Sequence, residues 1–256
     1  MKYDVILAGV GGQGILTIAY LLDNAAINRG LRFKQAEVHG MAQRGGAVYS
    51  HMRISDREIV SDIIPEGRAD MVLSVEPLEI HRYLYMLSPE GVVVSNIAPV
   101  INIPDYPDQG VVLDALYNLP RPVALDAGAI ATEAGVPKAE NMAMAGAATA
   151  YMPFELSDYE PIIRKLFERK GPEMVVANMK VLENGYRVGK FTRALLEAGL
   201  PGTVACRAVA MCRPDSLDVV HAPRVVELLR GQKVGEVLSK AREGLITLDD
   251  LIVELA

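Results

Sequence analysis

The chain opens on Val5-Ile6-Leu7-Ala8, a run of apolar residues with no polar face, the pattern of a strand buried on both sides. Gly9, Gly11, Gly12 and Gly14 follow at once, and from Ile15 the apolar positions Ile15, Ile18, Ala19 and Leu22 recur at helical spacing. Leu31 to Glu37 predicts a second strand. Residues 38–47 have no apolar period and read as a donor-rich loop. Val48 to Ile54 alternates, with Val48, Ser50, Met52 and Ile54 on one face and Tyr49, His51 and Arg53 on the other, predicting a strand with one polar face. Asp56 to Glu58 suggests a turn, and Ile59 to Ile64 its hairpin partner.

Further on, Ala69–Val75 reads as a buried strand and Glu76-Pro77-Leu78-Glu79 as the start of a helix running to about Leu87. Gly91–Ser95 and Pro122–Asp126 are further predicted strands, separated by proline-rich residues 98–122 with a short helix near Asp114–Asn118. Helices are expected over Ala127–Ala134, over the small-residue segment Asn141–Tyr151, over Asp158–Arg169 and over Glu173–Glu197. Side chains as small as those of 141–151 let a neighbouring backbone come close. Strands alternating with helices predict an α/β fold, a doubly wound, mostly parallel sheet with flanking helices, over residues 1–198. Residues 199–256 lack strand patterns and read as a helical C-terminal extension, with pieces at Ser216–Arg230, Val234–Glu243 and Thr247–Leu255. Thr247 with Asp250 resembles a capping box.

Composition narrows the function classes. The chain has 256 residues, half of them hydrophobic, and a net charge of −6 with no basic block, which gives no reason to expect nucleic acid. No apolar run reaches the roughly 18–20 residues of a membrane span. The start lacks the charged and apolar regions of an export signal, so a cytoplasmic address is expected. The only cysteines, Cys206 and Cys212, cannot supply the four ligands of an iron–sulfur cluster. No compact Cys/His grouping points to a metal. Gly171-Pro172 and Gly185 read as helix punctuation.

Candidate chemistry gathers in two places. Gly9, Gly11, Gly12, Gln13 and Gly14 precede a helix whose free N–H groups and positive dipole end favour an anion. Gly9, Gly11 and Gly14 satisfy the dinucleotide fingerprint, and Glu37 stands about where its ribose-binding acid is expected. A nicotinamide or flavin nucleotide is one reading; a tight strand-to-helix turn is the plain alternative. The second place is the dense polar group His39, Gln43, Arg44, His51 and Arg53, beside Gly45 and Gly46. Arg44 offers a planar fork for carboxylate or phosphate, and imidazoles titrate near neutral pH.

Gly9-Val10-Gly11-Gly12-Gln13-Gly14-Ile15-Leu16, then Glu37-Val38-His39-Gly40-Met41-Ala42-Gln43-Arg44-Gly45-Gly46 and Ser50-His51-Met52-Arg53, together resemble a known pattern. It is that of the gamma-type domain of the 2-oxoacid:ferredoxin oxidoreductases, and within them the beta-subunit type of the indolepyruvate enzymes. Ala69-Asp70, Glu76-Pro77-Leu78-Glu79 and the segment from Asn141 fit too, so the resemblance spans roughly residues 1–195. It implies oxidative decarboxylation of a 2-oxoacid on thiamine diphosphate, electrons leaving through 4Fe–4S clusters to ferredoxin, and the acyl group passing to coenzyme A. It also implies that a large (alpha) partner subunit holds the thiamine diphosphate and the clusters, leaving no cofactor on this chain alone. The gamma-type domain would then help shape the site for the oxoacid and coenzyme A. By the resemblance, Gly11, Gly12, Gln13 and Gly14 with His39, Gln43, Arg44, Gly45 and Gly46 face that site, none in a proton-transfer role. The same pattern casts doubt on a ribose role for Glu37 and turns the glycine loop away from the nucleotide reading.

Overall fold

The computed structural model describes residues 1–39, 45–231 and 245–255. Among the described residues six strands form one sheet: β1 (Lys2–Val10), β2 (Arg32–His39), β3 (Ala47–Ser55), β4 (Ala69–Ser74), β5 (Leu87–Asn96) and β6 (Pro122–Leu125), in the order β2-β3-β1-β4-β5-β6. β1, β4, β5 and β6 pair in parallel, as apolar runs linked by helical crossovers must. β3 is antiparallel to β1 on one side and to β2 on the other. The hairpin β2–β3 thus folds back and inserts its second strand beside β1. The expected doubly wound sheet is present, with this one reversed strand inside it.

The insertion explains a correction. Residues 59–64, expected as a hairpin partner of β3, form no strand, because both edges of β3 are already paired. Instead the Arg53 guanidinium takes the carbonyls of Ser61 and Ile63, each at 3.0 Å. The expected polar face of β3 is also covered. Tyr49 stacks on Tyr83 of a 3₁₀ helix (Glu79–Met86) at 4.7 Å between ring centroids, and His51 is buried beneath it. That 3₁₀ helix stands where a helix from Glu76 was predicted.

Alternate residues of β1 face two cores. Val5 and Leu7 pack with Met52, Ile54, helix α1 (Ile15–Asn28) and the helices described next; Ile6 and Ala8 pack with the 3₁₀ helix and α2 (Gln109–Tyr117). On the first face lie α3 (Ala127–Glu133), α4 (Glu140–Thr149), α5 (Glu160–Phe167) and α6 (Pro172–Glu197). The small residues of α4 do what was expected of them. A Cβ on Gly146 would stand 2.0 Å from the Leu182 carbonyl oxygen, and one on Gly185 2.0 Å from that of Ala143. Gly185 is therefore a close-approach point in mid-helix rather than punctuation, whereas Gly171, at φ +108°, does mark the start of α6.

Beyond α6 come α7 (Gly202–Ala210), which the sequence pattern did not predict, α8 (Ala222–Gly231) and α9 (Leu248–Leu255). Ala205, Val225, Leu229, Leu251 and Leu255 merge with the core beside α6. The helix expected from Ser216 is broken into 3₁₀ turns before α8, since Pro223 lacks an N–H and its ring clashes with the carbonyl four residues back. Thr247 and Asp250 make the capping box, the hydroxyl bonding the carboxylate at 2.7 Å and accepting from the Asp250 N–H at 3.2 Å. The predicted helix at 234–243 lies outside the described residues. No described helix is long and apolar enough to cross a membrane.

Candidate active site

β1 delivers the glycine loop to the carboxyl edge of the sheet. There the glycines do different jobs. A Cβ on Gly9 would meet Val75 Cγ2 at 2.4 Å, so this position lets β1 pass the end of β4. Gly11 continues the β1–β3 ladder: its N–H donates to the Gly46 carbonyl at 2.8 Å, and its carbonyl accepts from the Gly45 N–H at 3.1 Å. Gly14 caps α1 at φ +76°, with the Asn141 amide so close that a Cβ would lie 2.3 Å from its Nδ2.

Gln13 is bound into the scaffold at both ends. Its Oε1 accepts from the Val10 N–H at 2.7 Å, and its Nε2 donates to the Val75 carbonyl at 3.1 Å. Asn96 Nδ2 reaches the same carbonyl at 3.3 Å, while Asn96 Oδ1 accepts from the Ala127 N–H at 3.0 Å. The ends of β1, β4 and β5 and the start of α3 are thus held by two side-chain amides meeting at one oxygen.

A cleft of about 480 Å³ opens beside the loop, lined by Gly11, Gly12, Gly14 and Leu16 on one wall and by Glu37 and Ser50 on the other. The first N–H groups of α1 point to it, which suits phosphate or carboxylate. A segment without apolar period, residues 97–108, closes over this end. Asn102 Nδ2 donates to the Gly45 carbonyl at 2.8 Å, and the Tyr106 hydroxyl donates to the buried Glu76 carboxylate at 2.5 Å. Glu76 Oε2 also accepts from the Glu79 N–H at 2.8 Å. Burial pushes the Glu79 carboxyl up, with Arg82 opposing.

The expected site residues therefore separate. Gly11, Gly12 and Gly14 line the cleft, and Gly45 and Gly46 are bonded to Gly11. Gly9 and Gln13 belong to the scaffold. His51 and Arg53 point to the opposite face of β3. His51 Nδ1 accepts from the Ile64 N–H at 3.2 Å, and burial, then Arg53, holds the imidazole below its ordinary pKa. Arg53 grips the buried Asp4 carboxylate with two bonds of 3.0 Å. Gln43 and Arg44, and the His39 side chain, lie outside the described residues. Asn96, Asn102 and Tyr106 escaped the sequence reading, and Asn141 entered it only as the start of a small-residue helix, because a single polar residue does not announce what it will touch.

The inserted strand also changes the strand order expected of a dinucleotide site, where the second strand pairs with the first. With β3 between β1 and β2, Glu37 stands on the second strand from the glycine loop, on the far wall of the same cleft.

The model of the pyruvate ferredoxin/flavodoxin oxidoreductase family matches residues 4–188. The chain belongs to this family. Indolepyruvate oxidoreductase subunit IorB of Archaeoglobus fulgidus is 36% identical over 195 residues, which are 73% of this chain and 94% of that relative. The gamma subunit of a keto/oxoacid ferredoxin oxidoreductase from Geobacter sulfurreducens has the same fold, with a TM-score of 0.55 at 22% identity over 74% of this chain and 97% of that one. So does 2-oxoglutarate:ferredoxin oxidoreductase of Magnetococcus marinus, solved with 2-oxoglutarate, coenzyme A and succinyl-CoA bound. The TM-score there is 0.60 at 17% identity over 74% of this chain, which spans 31% of that much longer chain. α7, α8 and α9 follow the last residue that the family model matches.

Proposed function

We propose that this chain is the small, cluster-free subunit of a ferredoxin-dependent oxidoreductase for arylpyruvates of the indolepyruvate type. The observation that carries this is the match along 94% of a relative named indolepyruvate oxidoreductase subunit IorB. The donor set of the chain agrees with a division of labour. Cys206 and Cys212 are both buried, with thiols pushed up to about 12 by that burial, and the described residues contain no group of three or more His, Cys, Asp or Glu suited to a metal. Two buried cysteines cannot ligate an iron–sulfur cluster, so in this proposal the clusters, and with them the thiamine diphosphate, belong to a large partner subunit. Thiamine diphosphate on that partner supplies the carbanion chemistry of decarboxylation.

What this chain contributes is position. The Gly45–Gly46 end of the β2–β3 hairpin and the start of α1 form one rim. The backbone N–H groups of Gly12, Ile15 and Leu16 would take a phosphate of coenzyme A, and Arg44 would add a charged fork. Ferredoxin is met through the complex, and a cytoplasmic address suits such an assembly. The test is co-expression with a candidate large subunit, anaerobic purification, and reduction of a viologen dye by indolepyruvate plus coenzyme A. Co-purification and dye reduction that needs both chains is the expected result. A chain that stays alone and oxidises or reduces a nicotinamide would overturn the proposal.

A further inference from the structure

Between the end of β5 and the start of α2 the chain crosses the carboxyl end of the sheet with few ties. The backbone N–H groups of residues 98–105 find no hydrogen-bond partner among the described residues, and Pro99 and Pro104 have no N–H to offer. Val100, Ile101 and Ile103 are exposed, Ile101 at 72%, and none of them packs on either core. A stretch this poor in buried contacts and backbone hydrogen bonds opens at low cost. The two prolines fix φ at two of its positions, so it is short of joints as well as of anchors.

The ends of this stretch are held far better than its middle. On one side the Ile97 N–H donates to the Leu125 carbonyl at 3.0 Å, and Ile97 packs on the second core. On the other, the Tyr106 hydroxyl donates at 2.5 Å to Glu76, a buried carboxylate, in a charge-assisted bond. The middle has a single side-chain tie among the described residues, Asn102 Nδ2 to the Gly45 carbonyl at 2.8 Å, exposed and between neutral groups. That tie lands on the rim of the glycine cleft. Gly45 also donates its N–H to the Gly11 carbonyl at 3.1 Å. One glycine, at φ +75°, thus takes the crossing segment on its carbonyl and the cleft wall on its N–H.

We infer that residues 98–105 form a strap that swings as a unit between Ile97 and Tyr106, latched by Asn102 to the hairpin end, and that this latch holds the rim of the glycine cleft in place. With the strap closed, the hairpin end is tied on two sides, to Gly11 and to Asn102. With the strap open, the Gly45 carbonyl is given to water and the hairpin end keeps only its bonds to Gly11. One exposed, neutral hydrogen bond shifts an equilibrium by roughly three- to tenfold. Both states are therefore within reach of any ligand or partner chain that favours one of them. The inference does not rest on the proposed activity, since every readout below is made on the free chain.

Thermolysin, which cuts before bulky apolar residues, tests it on the full chain at Val100 and Ile101, because dilute protease reports the open fraction. Asn102→Ala should raise the initial rate of cutting there by roughly three- to tenfold and leave the melting temperature unchanged. In the same variant, hydrogen exchange at the Gly45 N–H should quicken about threefold or more while the amides of α2 keep their rates, which a surface bond without hold on the rim would not produce. The chain has no tryptophan, so Ile101→Trp places a lone fluorophore on the strap, and its anisotropy should fall when Asn102→Ala is added. Equal cutting of Asn102→Ala and its parent, unchanged exchange at Gly45, or unchanged anisotropy would each overturn the inference. A lower melting temperature with faster exchange along the whole chain would do so too, because the strap would then not open by itself.

Discussion

Replacing Gln13 by alanine separates a scaffold residue from a ligand-binding one. In the structure its amide is spent internally, on the Val10 N–H and the Val75 carbonyl. Val10 is 2% exposed and Val75 4%, so water does not readily replace the lost partner. An unpaired buried N–H costs about 1–3 kcal/mol. The Val75 carbonyl keeps Asn96 and loses less, about 0.5 kcal/mol. Gln13→Ala should therefore destabilise the chain by roughly 2–3 kcal/mol, a fall in melting temperature of about 5–10 °C at this size. Urea denaturation followed by circular dichroism measures it. Asn96→Ala supplies the second half of the test, because both amides converge on one oxygen. In the double variant the Val75 carbonyl has neither partner, and the loss should exceed the sum of the single losses by about 1 kcal/mol. Additivity within about 0.4 kcal/mol would refute the shared-oxygen argument. An unchanged melting temperature for Gln13→Ala, with a fall in coenzyme A-dependent turnover of the complex, would return Gln13 to the ligand site.

Other perturbations follow from the same geometry. Gly185→Ala raises helix propensity by about 1 kcal/mol, yet its Cβ would sit 2.0 Å from the Ala143 carbonyl oxygen; a net loss of about 2 kcal/mol is expected in thermal melts. Arg53→Ala leaves the fully buried Asp4 carboxylate with Lys2, 2.6 Å away, as its one ion-pair partner among the described residues, and should cost about 3 kcal/mol in urea titrations while Arg53→Lys recovers part of it. Burial alone raises the Asp23 carboxyl to about 7, so the folded chain holds a proton there that the unfolded chain releases near 3.8. Stability from this group is whole below about 3.8 and is lost as pH climbs through about 7, so Asp23→Asn should gain about 2–3 kcal/mol more at pH 8 than at pH 5. For His51 the sign is opposite: its folded pKa lies below the unfolded 6.5, its contribution is whole above that value, and it is lost as pH falls through the folded pKa. His51→Gln should accordingly flatten the acid side of the stability profile between pH 7 and 5, checked by melts in matched buffers.

The frame of the fold was legible wherever apolar runs were long and the links short. The buried runs of β1 and β4, the helical stripe from Ile15 and the small-residue face of α4 all carry their environment in their spacing. What failed were statements about partners at a distance. The alternation of 48–54 correctly announced a strand, but nothing local in it said that the Tyr49–His51–Arg53 face would lie under a 3₁₀ helix. Residues 59–64 looked like a second hairpin arm because their alternatives, the two edges of β3, are defined by strands far away in sequence. Pro223 did carry a local signal, and reading it would have broken the predicted helix before residue 222. On the site, the glycines were legible as a turn beside an anion-friendly helix end. Which glycine meets ligand and which meets backbone was not, since that depends on Gly45, Gly46 and Val75.

The glycine loop shows why a motif is read through its topology. In a dinucleotide site the second strand lies next to the first, and the acid at its end falls within reach of a ribose held over the glycines. Here the chain spends its second and third strands on a hairpin and places the returning strand in that slot. The consequences are coupled. Glu37 is displaced by one strand, Gly11 gives its N–H to Gly46, and the hairpin end is carried to the rim of the same cleft. A nucleotide site of the usual kind keeps its second strand beside the first. A subunit that completes a partner's site needs the third. The reversed strand that spoils the one arrangement is what builds the other, so the hairpin end is where a loss of function should concentrate without a loss of fold.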